Sequence, residues 1–301
     1  RRPPRSTPLY SSAASDVYKR QINDLKTKNL IYEKDGATWF KATAAGRDMD
    51  RVIIKSTGEP TYRLPDIAYH RDKFDRNFDV IVDVFGADHM DAYPDVIAAI
   101  KSLDYDSDKI KVLIHQFVTV LKNGEPVKMS TRKANFISLD SLIDEVGADV
   151  TRFFFIMRSM NTHLNFDLDL AKEQSDANPV FYIQYAHARC CNMLRRFEGD
   201  LDSIDESSLE HLKLDIETQL INKLLTFPEV IRKSSQTLEP QNISNYLAEL
   251  ASSFHSYYAK ERVIDSDNKI LTEARIYLVN ATRIVIRNGL KVLGVSAPEK
   301  M

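Results

Sequence analysis

The chain has 301 residues, of which 43% are hydrophobic and 28% charged, so it can bury a substantial core and is predicted to form two domains. Forty-one basic and 43 acidic residues give a formal net charge of -2, which excludes a global basic field and leaves only local patches for nucleic acid. The neighbours Cys190 and Cys191 form neither a metal pattern nor a disulfide framework, which predicts a reducing, cytoplasmic setting. No run reaches the ~18–20 apolar residues of a membrane span, so we expect no membrane association.

Residues 1–21 mix Arg, Pro and Ser without apolar periodicity, so they bury too little surface to offset the entropy lost on ordering. We expect a disordered tail. Its resemblance to translated sequencing-adapter sequence indicates that it is not part of the native protein. A transit peptide is the alternative, but the abrupt change to mid-domain sequence at Ile22 favours truncation.

Residues 22–169 have a mixed α/β pattern. A β-branched run at residues 79–85 stops at Gly86, and helical periodicity follows at residues 90–103. A strand is therefore predicted to lead into a helix. Such alternation predicts an open, mostly parallel sheet, whose ligand sites lie beyond the carboxyl ends of its strands. Residues 86–89 fall at one of these ends.

Two further strand-like runs follow in this half. Residues 111–121 form the first, and residues 123–124 (Asn-Gly) give a strong turn signal after it. Residues 136–139 form the second. A helix is predicted to begin near Ser141, where Asp140 can cap it.

From residue 170 onward the strand signals vanish. Asn178 and Pro179 are typical of a helix start, with a side-chain acceptor at the cap and proline at the first position. Pro228 is predicted to break a later helical run. The fold class is therefore α/β followed by all-α, with a helical bundle at residues 170–301. Helical periods cover residues 179–197, 214–235, 243–262 and 272–293.

The segment Lys128-Met-Ser-Thr-Arg132-Lys133 is the most informative chemistry in the chain. Three cations and two hydroxyls on one loop can hold a polyphosphate and neutralise its charge as a bond breaks. A solvated basic loop is the simpler interpretation, because the glycine-rich spacing of a phosphate-binding Walker loop is missing. The motifs around this segment favour the polyphosphate.

Lys128 to Arg132 resembles the KMSTR form of the KMSKS signature of class I aminoacyl-tRNA synthetases, and this form points to the arginyl family. Further blocks resemble that family in its own order: Asp35-Gly-Ala-Thr-Trp39-Phe, Asp50-Arg51-Val, Tyr62-Arg-Leu-Pro-Asp66-Ile-Ala, Gly86-Ala-Asp-His89, Phe166-Asp-Leu-Asp169, Tyr182-Ile-Gln-Tyr-Ala-His-Ala-Arg189 and Leu293-Gly-Val-Ser-Ala-Pro-Glu-Lys-Met301. The resemblance implies the C-terminal part of a Rossmann-like nucleotide-binding domain followed by a DALR-type helical anticodon-binding domain. Asp149-Val-Thr-Arg152 is similar to the motif that names this second domain.

Two departures from the family pattern affect the expectation. Ala134 replaces the family's glycine after the KMSTR segment, a change expected to stiffen the loop without removing a charge. The family's His-x-Gly-His motif, which binds ATP, does not occur in the sequence. We therefore expect a fragment that lacks the first part of the catalytic domain and is inactive alone.

The activity implied by the resemblance is ATP-dependent activation of arginine and its transfer to tRNA(Arg). Lys128 and Arg132 are the implied catalytic residues, acting on the departing pyrophosphate. The implied ATP-binding residues are His89, Lys128, Met129, Ser130 and Arg132. Magnesium is implied only as part of the ATP complex, and no structural metal is expected.

The resemblance assigns arginine binding to Tyr62, Asp66, Asp88 and His89. A carboxylate accepts the planar guanidinium fork in two parallel hydrogen bonds, which a lysine ammonium cannot reproduce. Read without the family, Asp66 would cap a helix at residues 67–74, and His89 would satisfy a local hydrogen bond.

In the bundle, Tyr182, Tyr185 and Arg189 recur at spacings of three and four, so they share one helix face. Aromatic rings with arginine suit unpaired RNA bases, although such a stripe is more often core. For the anticodon, the resemblance implies Tyr257, Tyr258, Arg262 and Met301. The expected partners are tRNA(Arg), arginine and ATP, and the expected state is a monomer.

Two alternatives stay open at this point. One is a non-catalytic tRNA-binding module. The other is a related class I synthetase such as the cysteine enzyme, whose zinc requirement is hard to reconcile with a sequence that has no thiolate cluster.

Overall fold

The computed structural model describes residues 12–127 and 137–301, with the backbone alone for residues 12–19. The chain divides into two compact units between Phe117 and Val118. The predicted boundary after residue 169 falls inside the second unit, in a short helix. None of the described helices is both long and apolar enough to cross a bilayer.

The first unit combines a small antiparallel sheet with a βαβ arrangement. Strands β1 to β3 pair antiparallel in sequence order, and β4 pairs in parallel with β5 through the crossover helix α3. Apolar side chains of α1, the first sheet, α2 and α3 form its core. The elements are α1 Ser12–Thr27, β1 Ile31–Lys34, β2 Ala37–Phe40, β3 Arg51–Ile54, α2 Arg63–Asp75, β4 Ile81–Gly86, α3 Tyr93–Ser102 and β5 Ile110–His115.

Helix α1 corrects the expectation of a disordered tail for residues 12–21, which are helical. The segment is anchored by contacts that its own composition does not reveal. Leu25 on the same helix is fully buried, and Arg71 pairs with Asp24 at 2.7 Å and donates to Gln21 Oε1 at 2.7 Å. Residues 1–11 lie outside the described part of the chain.

The strand and helix predicted at residues 79–103 are confirmed as β4 and α3. The single strand predicted at residues 111–121 is wrong, because β5 ends at His115 and a separate strand begins at Val118. The two strands pair with partners in different sheets, so one continuous strand could not satisfy both.

The second unit begins with a small mixed sheet and continues as a helical bundle. In the sheet, β6 pairs in parallel with β8 and antiparallel with β7. Beyond Asp167, the described residues contain helices and turns but no strand. The elements are β6 Val118–Lys122, β7 Glu125–Pro126, α4 Leu139–Val146, α5 Ala148–Ile156, β8 Leu164–Asp167, α6 Leu168–Lys172, α7 Pro179–Arg196, α8 Asp215–Leu225, α9 Phe227–Thr237, α10 Gln241–Lys260 and α11 Lys269–Val292.

Side-chain caps mark the starts of α4 and α7. Asn178 accepts from the backbone N–H of Val180 at 3.1 Å, as predicted for the start of α7. The prediction that Asp140 caps α4 is wrong. The hydroxyl of Ser138 accepts from Ser141 N at 3.0 Å, so Ser138 is the cap and Asp140 lies in the first turn of α4. The strand predicted at residues 136–139 is therefore absent at its described positions, where α4 already begins at residue 139.

Candidate functional site

A buried carboxylate joins helix α2 to strand β4. Asp83 is 7% exposed, accepts from His70 Nε2 at 2.7 Å and pairs with the ammonium of Lys73. His70 Nδ1 lies 2.7 Å from the carbonyl oxygen of Asp66, so both ring nitrogens face oxygen atoms. Burial opposes ionisation of Asp83, but the hydrogen bonds from His70 and Lys73 outweigh it and lower the pKa of Asp83 below its ordinary value.

His70 and Asp83 form one wall of a pocket at the carboxyl end of β4. Asp66 lies in the first turn of α2 and faces the pocket, and His89 follows the strand end. The Phe85 ring stacks on His89 at 5.8 Å and on Tyr93 at 6.1 Å between centroids. A carboxylate among aromatic rings suits a planar cation, because the rings attract positive charge and the carboxylate accepts two hydrogen bonds.

The carboxylate of Asp66 forms no hydrogen bond or ion pair with the residues that the structure describes. Its side chain reaches solvent, yet desolvation by the surrounding protein raises the pKa of Asp66 above its ordinary value, against the opposing influence of His70 and His89. Helix α2 begins at Arg63, so Asp66 lies inside the helix and does not cap it, and the helix-cap interpretation is wrong. The charge of a cationic ligand would offset the cost of this desolvation, because an opposite charge favours the ionised carboxylate.

The other residues predicted for arginine lie near this pocket. Tyr62 precedes α2, one turn before Asp66, and is 53% exposed. Asp88 is exposed, and its carboxylate lies 3.9 Å from His89 Nε2. A Cβ at Gly86 would lie 2.6 Å from Asp88 Oδ1, so a larger residue there would displace the exposed Asp88 carboxylate. Among the described residues, Asp66 and His89 line the pocket, whereas Tyr62 and Asp88 lie outside its lining.

A second buried carboxylate fixes the start of α2. Asp95 is 1% exposed and accepts from Nε of three arginines, at 3.0 Å for Arg47, 2.9 Å for Arg51 and 3.0 Å for Arg63. Arg63 is the first residue of α2 and follows Tyr62 directly. The ion pairs therefore join α3, β3 and the first turn of α2, which restricts where Tyr62 and Asp66 can lie.

The phosphate-binding segment predicted at Lys128, Met129, Ser130 and Arg132 lies outside the described residues, and its assignment stays a prediction. No group of three or more His, Cys, Asp or Glu side chains within residues 12–127 and 137–301 is arranged to hold a metal ion.

The bundle has a groove lined by aromatic and cationic side chains. The Arg189 guanidinium lies between two rings, 4.6 Å from the centroid of Tyr185 and 4.5 Å from that of Tyr258. Arg189 also donates to the Tyr185 hydroxyl at 2.7 Å. Tyr258 is 37% exposed, and Met301 lines the same groove. The groove offers stacking surfaces and positive charge, which suit unpaired bases.

The C-terminal segment reaches this groove because α5 and α7 hold it. Asp149 accepts from the Ser296 hydroxyl, and Arg152 donates to the Gly294 carbonyl at 2.6 Å. His187 Nδ1 donates to the Pro298 carbonyl at 2.9 Å. Asp149 and Arg152 are the outer residues of the segment that resembles the DALR motif, so in this chain those two side chains position the segment that ends at Met301.

Two of the four residues predicted for the anticodon lie elsewhere. Tyr257 is fully buried in the bundle core, so its ring is not available to RNA, and its inclusion was wrong. Burial raises the pKa of this hydroxyl, and the hydroxyl has no hydrogen-bond partner among the described residues. Arg262 is exposed, lies 3.8 Å from Asp265 and is outside the groove lining described above.

Family models match both parts of the chain. Residues 7–183 match the family described as tRNA synthetases class I (R), catalytic domain, and residues 183–301 match the DALR anticodon binding domain. The chain belongs to the arginyl family of class I tRNA synthetases. Membership in this family excludes the alternative of a cysteine enzyme. It is also consistent with an α/β part followed by helices.

Relatives with known names are similar along nearly the whole chain. An arginine–tRNA ligase from Chlorobium phaeobacteroides (strain BS1) is 52% identical, and the match covers 97% of this chain and 54% of the relative. One from Desulfotalea psychrophila is 50% identical, and the match covers 93% of this chain and 51% of the relative. The chain thus spans about half the length of the curated relatives it matches. A solved arginyl-tRNA synthetase from Campylobacter jejuni is 32% identical with a TM-score of 0.88, covering 96% of this chain and 63% of that one.

Several side chains of the pocket were missed by sequence reasoning. His70 follows Asp66 by one helical turn, and Asp83 is a lone acid within an apolar strand, so each carried a weak signal. The contact between His70 and Asp83 joins α2 to β4, so the sequence of neither element alone predicts it.

Asp83→Asn should lower the free energy of unfolding of the first unit by about 3 kcal/mol at pH 7, because His70 and Lys73 would lose a buried anionic acceptor. The pKa of Asp83 is lower in the folded chain than its unfolded value of about 3.9, so its stabilisation is complete above that pH and is lost as pH falls. Urea unfolding followed by the fluorescence of Trp39, the one tryptophan of the chain, measures this. The difference between wild type and variant should shrink below about pH 4.

The matched control is Glu59→Gln, since Glu59 forms an exposed pair with Lys55 in the same unit. It should change the free energy of unfolding by less than about 1 kcal/mol. Equal stability of Asp83→Asn and wild type at pH 7 would rule out the anchoring role.

Proposed function

We propose that this chain carries the amino-acid-recognising side of an arginine–tRNA ligase, together with its tRNA-binding bundle. The reaction is attack of the arginine carboxylate on the α-phosphorus of ATP, with release of pyrophosphate, followed by transfer of arginine to the terminal adenosine of tRNA(Arg). The observation that carries the proposal is the carboxylate of Asp66, which has no hydrogen-bond or ion-pair partner among the described residues and faces an aromatic pocket at a strand end.

Asp66 would accept the guanidinium of arginine in two parallel hydrogen bonds. Lysine presents a compact ammonium that cannot make both bonds, so this carboxylate would discriminate between the two amino acids. Tyr62 would approach from one turn earlier, and His89 would lie on the opposite wall beside Phe85. Asp88 would act through its neighbour His89.

The ATP side of the reaction would use His89 and the segment with Lys128, Met129, Ser130 and Arg132. Transfer at the α-phosphorus needs positioning and charge neutralisation more than a protein base. Lys128 and Arg132 would neutralise the departing pyrophosphate, and the Ser130 hydroxyl would donate a hydrogen bond to it. Magnesium would enter bound to ATP.

We propose that the remaining part of a ligase covers the open face of β4 and β5. Val80, Val82 and Val84 are 55%, 43% and 57% exposed, and a two-stranded parallel sheet is ordinarily covered on both faces. That part would also supply the His-x-Gly-His motif, which does not occur in this sequence. This chain alone should therefore not form arginyl-adenylate.

Recognition of tRNA would use the groove of the bundle. Tyr258 would stack on an unpaired base, with Arg189 behind its ring, and Met301 would close the groove at its end. Arg262 would contact the RNA from outside the groove. Cytoplasmic location and a monomeric state remain part of this proposal.

Asp66→Asn should lower kcat/KM for arginine by ~30- to ~5,000-fold, which corresponds to about 2–5 kcal/mol. The measurement is ATP–pyrophosphate exchange with arginine and tRNA(Arg) present, in a chimera that joins the upstream part of the Chlorobium phaeobacteroides ligase to this chain. The ATP KM should change little, because the lost bonds are made to arginine. In the wild-type chimera, arginine binding should weaken as pH falls through the raised pKa of Asp66, because the protonated carboxyl cannot pair with guanidinium.

Asp72→Asn is the matched control, because Asp72 is an exposed carboxylate on the same helix and pairs with Arg76. It should leave the arginine KM unchanged. If Asp66→Asn and Asp72→Asn behave alike, Asp66 does not read the guanidinium. If the folded chimera shows no exchange with any amino acid, the chain is a tRNA-binding module and the catalytic proposal fails.

Tyr258→Ala should weaken binding of a tRNA(Arg) transcript to this chain by about 5- to 150-fold, the range expected for losing one stacked base. Filter binding at fixed salt measures it. Tyr277→Ala is the control, because Tyr277 is 39% exposed against 37% for Tyr258 and lines an apolar surface elsewhere in the bundle. Equal affinities of the two variants would remove the groove from the tRNA site.

A further inference from the structure

The pocket at the carboxyl end of β4 lies between two helices. Asp66 and His70 of α2 line one side, and Tyr93, Val96 and Ile97 of α3 line the other. The free space between them is narrow, with a volume of about 10 Å³, which is roughly the room of one water-sized sphere. The two helices therefore have to separate slightly before a guanidinium group enters. Whatever ties α2 to α3 limits how far they separate.

The ion pair between Arg63 and Asp95 is such a tie. Arg63 is the first residue of α2, and Asp95 lies in the first turn of α3. Arg63 Nε donates to Asp95 Oδ2 at 3.0 Å, and the carboxylate is almost completely buried. A buried pair of this kind is costly to break, because it leaves an ion without its partner. Neither side chain lines the pocket, so the pair acts on the spacing of the two helices and makes no contact with the ligand.

Two further arginines hold other segments to the same carboxylate. Arg47 Nε donates to Asp95 Oδ1 at 3.0 Å, and Arg51 Nε shares Oδ2 with Arg63 at 2.9 Å. Arg51 belongs to β3, and Arg47 follows a short 3-10 helix at residues 42–45. Of the three guanidinium groups, only that of Arg63 belongs to α2. Removal of Arg63 would therefore release α2 while each oxygen of Asp95 keeps one cationic partner.

Arg63 also fixes the residue before it. Its guanidinium carbon lies 4.9 Å from the centroid of the Tyr62 ring, within the range of a cation–π contact. The same side chain thus holds the Tyr62 ring and the first turn of α2 in one position relative to α3. Tyr62 and Asp66, which are proposed to contact arginine, flank it on either side in the sequence.

We infer that Arg63 and Asp95 are positioning residues that set the width of the arginine pocket and so exclude ligands with a bulkier guanidinium. This inference rests on the proposed arginine site and adds a determinant of its specificity. The charge of Asp66 attracts every guanidinium alike, whereas rejection of a larger one requires walls that do not yield. The tie between α2 and α3 supplies that resistance from behind the walls.

The test compares arginine with Nω-methylarginine, which carries one extra methyl group on the guanidinium and still offers two N–H donors to a carboxylate. The assay is ATP–pyrophosphate exchange by the chimera with tRNA(Arg) present. In Arg63→Gln, the ratio of kcat/KM for arginine to kcat/KM for Nω-methylarginine should fall by roughly tenfold, the lower end of the discrimination that one methylene gives. The ratio falls because the released α2 admits the methyl group while Asp66 still pairs with both ligands.

Arg47→Gln is the matched control, because it removes a pair of the same length from the same carboxylate without releasing α2. It should keep the wild-type ratio, and urea unfolding followed by Trp39 fluorescence should show comparable losses of stability in the two variants. Asp95→Asn breaks the tie but leaves Arg63 on the Tyr62 ring, so it should lower the ratio as Arg63→Gln does.

A wild-type ratio in Arg63→Gln, or equal ratios in Arg63→Gln and Arg47→Gln, overturns the inference. A wild-type ratio in folded Asp95→Asn also overturns it, since the effect of Arg63 would then come from its contact with Tyr62. If Asp66→Asn impairs arginine use while Arg63→Gln keeps the wild-type ratio, the proposed function stands and only this inference fails. Absence of exchange by the wild-type chimera would overturn both.

Discussion

The buried carboxylate of Asp83 is the interaction on which the first unit depends. It holds α2 against β4 through His70 and Lys73, and His70 in turn holds the carbonyl of Asp66. Because α2 and β4 are fixed in this way, the first turn of α2 and the carboxyl end of β4 lie at the same pocket. Ligand sites of parallel sheets form at such ends. The pocket therefore follows from one buried ion cluster together with the ordinary geometry of a βαβ unit.

The second unit uses a comparable device for a different purpose. Its C-terminal segment has no regular structure of its own, so side chains of α5 and α7 must hold it. Asp149 and Arg152 supply two of these contacts, which gives the degenerate motif a physical role in this chain. The segment then delivers Met301 to the groove where Arg189 lies between two tyrosine rings. Each unit thus places its candidate ligand-binding residues by anchoring a short segment to a packed helix.

Local patterns predicted much of this arrangement. The strand before Gly86, the cap at Asn178 and the break at Pro228 depend on neighbours in sequence, and the structure has all three. Non-local partners decided the failures. Residues 12–21 are helical in a segment that Arg71 holds from fifty residues away, and the run at residues 111–121 divides because its halves pair in different sheets. Tyr257 and Tyr258 are adjacent aromatic residues, and only the packing of α10 determines which one is buried.

The central claim is that the anchored helix α2 presents Asp66 to the guanidinium of arginine. The most direct measurement is a crystal structure of the chimera with bound arginine. Both terminal guanidinium nitrogens should lie about 2.7–2.9 Å from the two carboxylate oxygens of Asp66, as in a charge-assisted bidentate pair. A guanidinium bound instead to Asp88, with Asp66 left without a partner, would contradict the account.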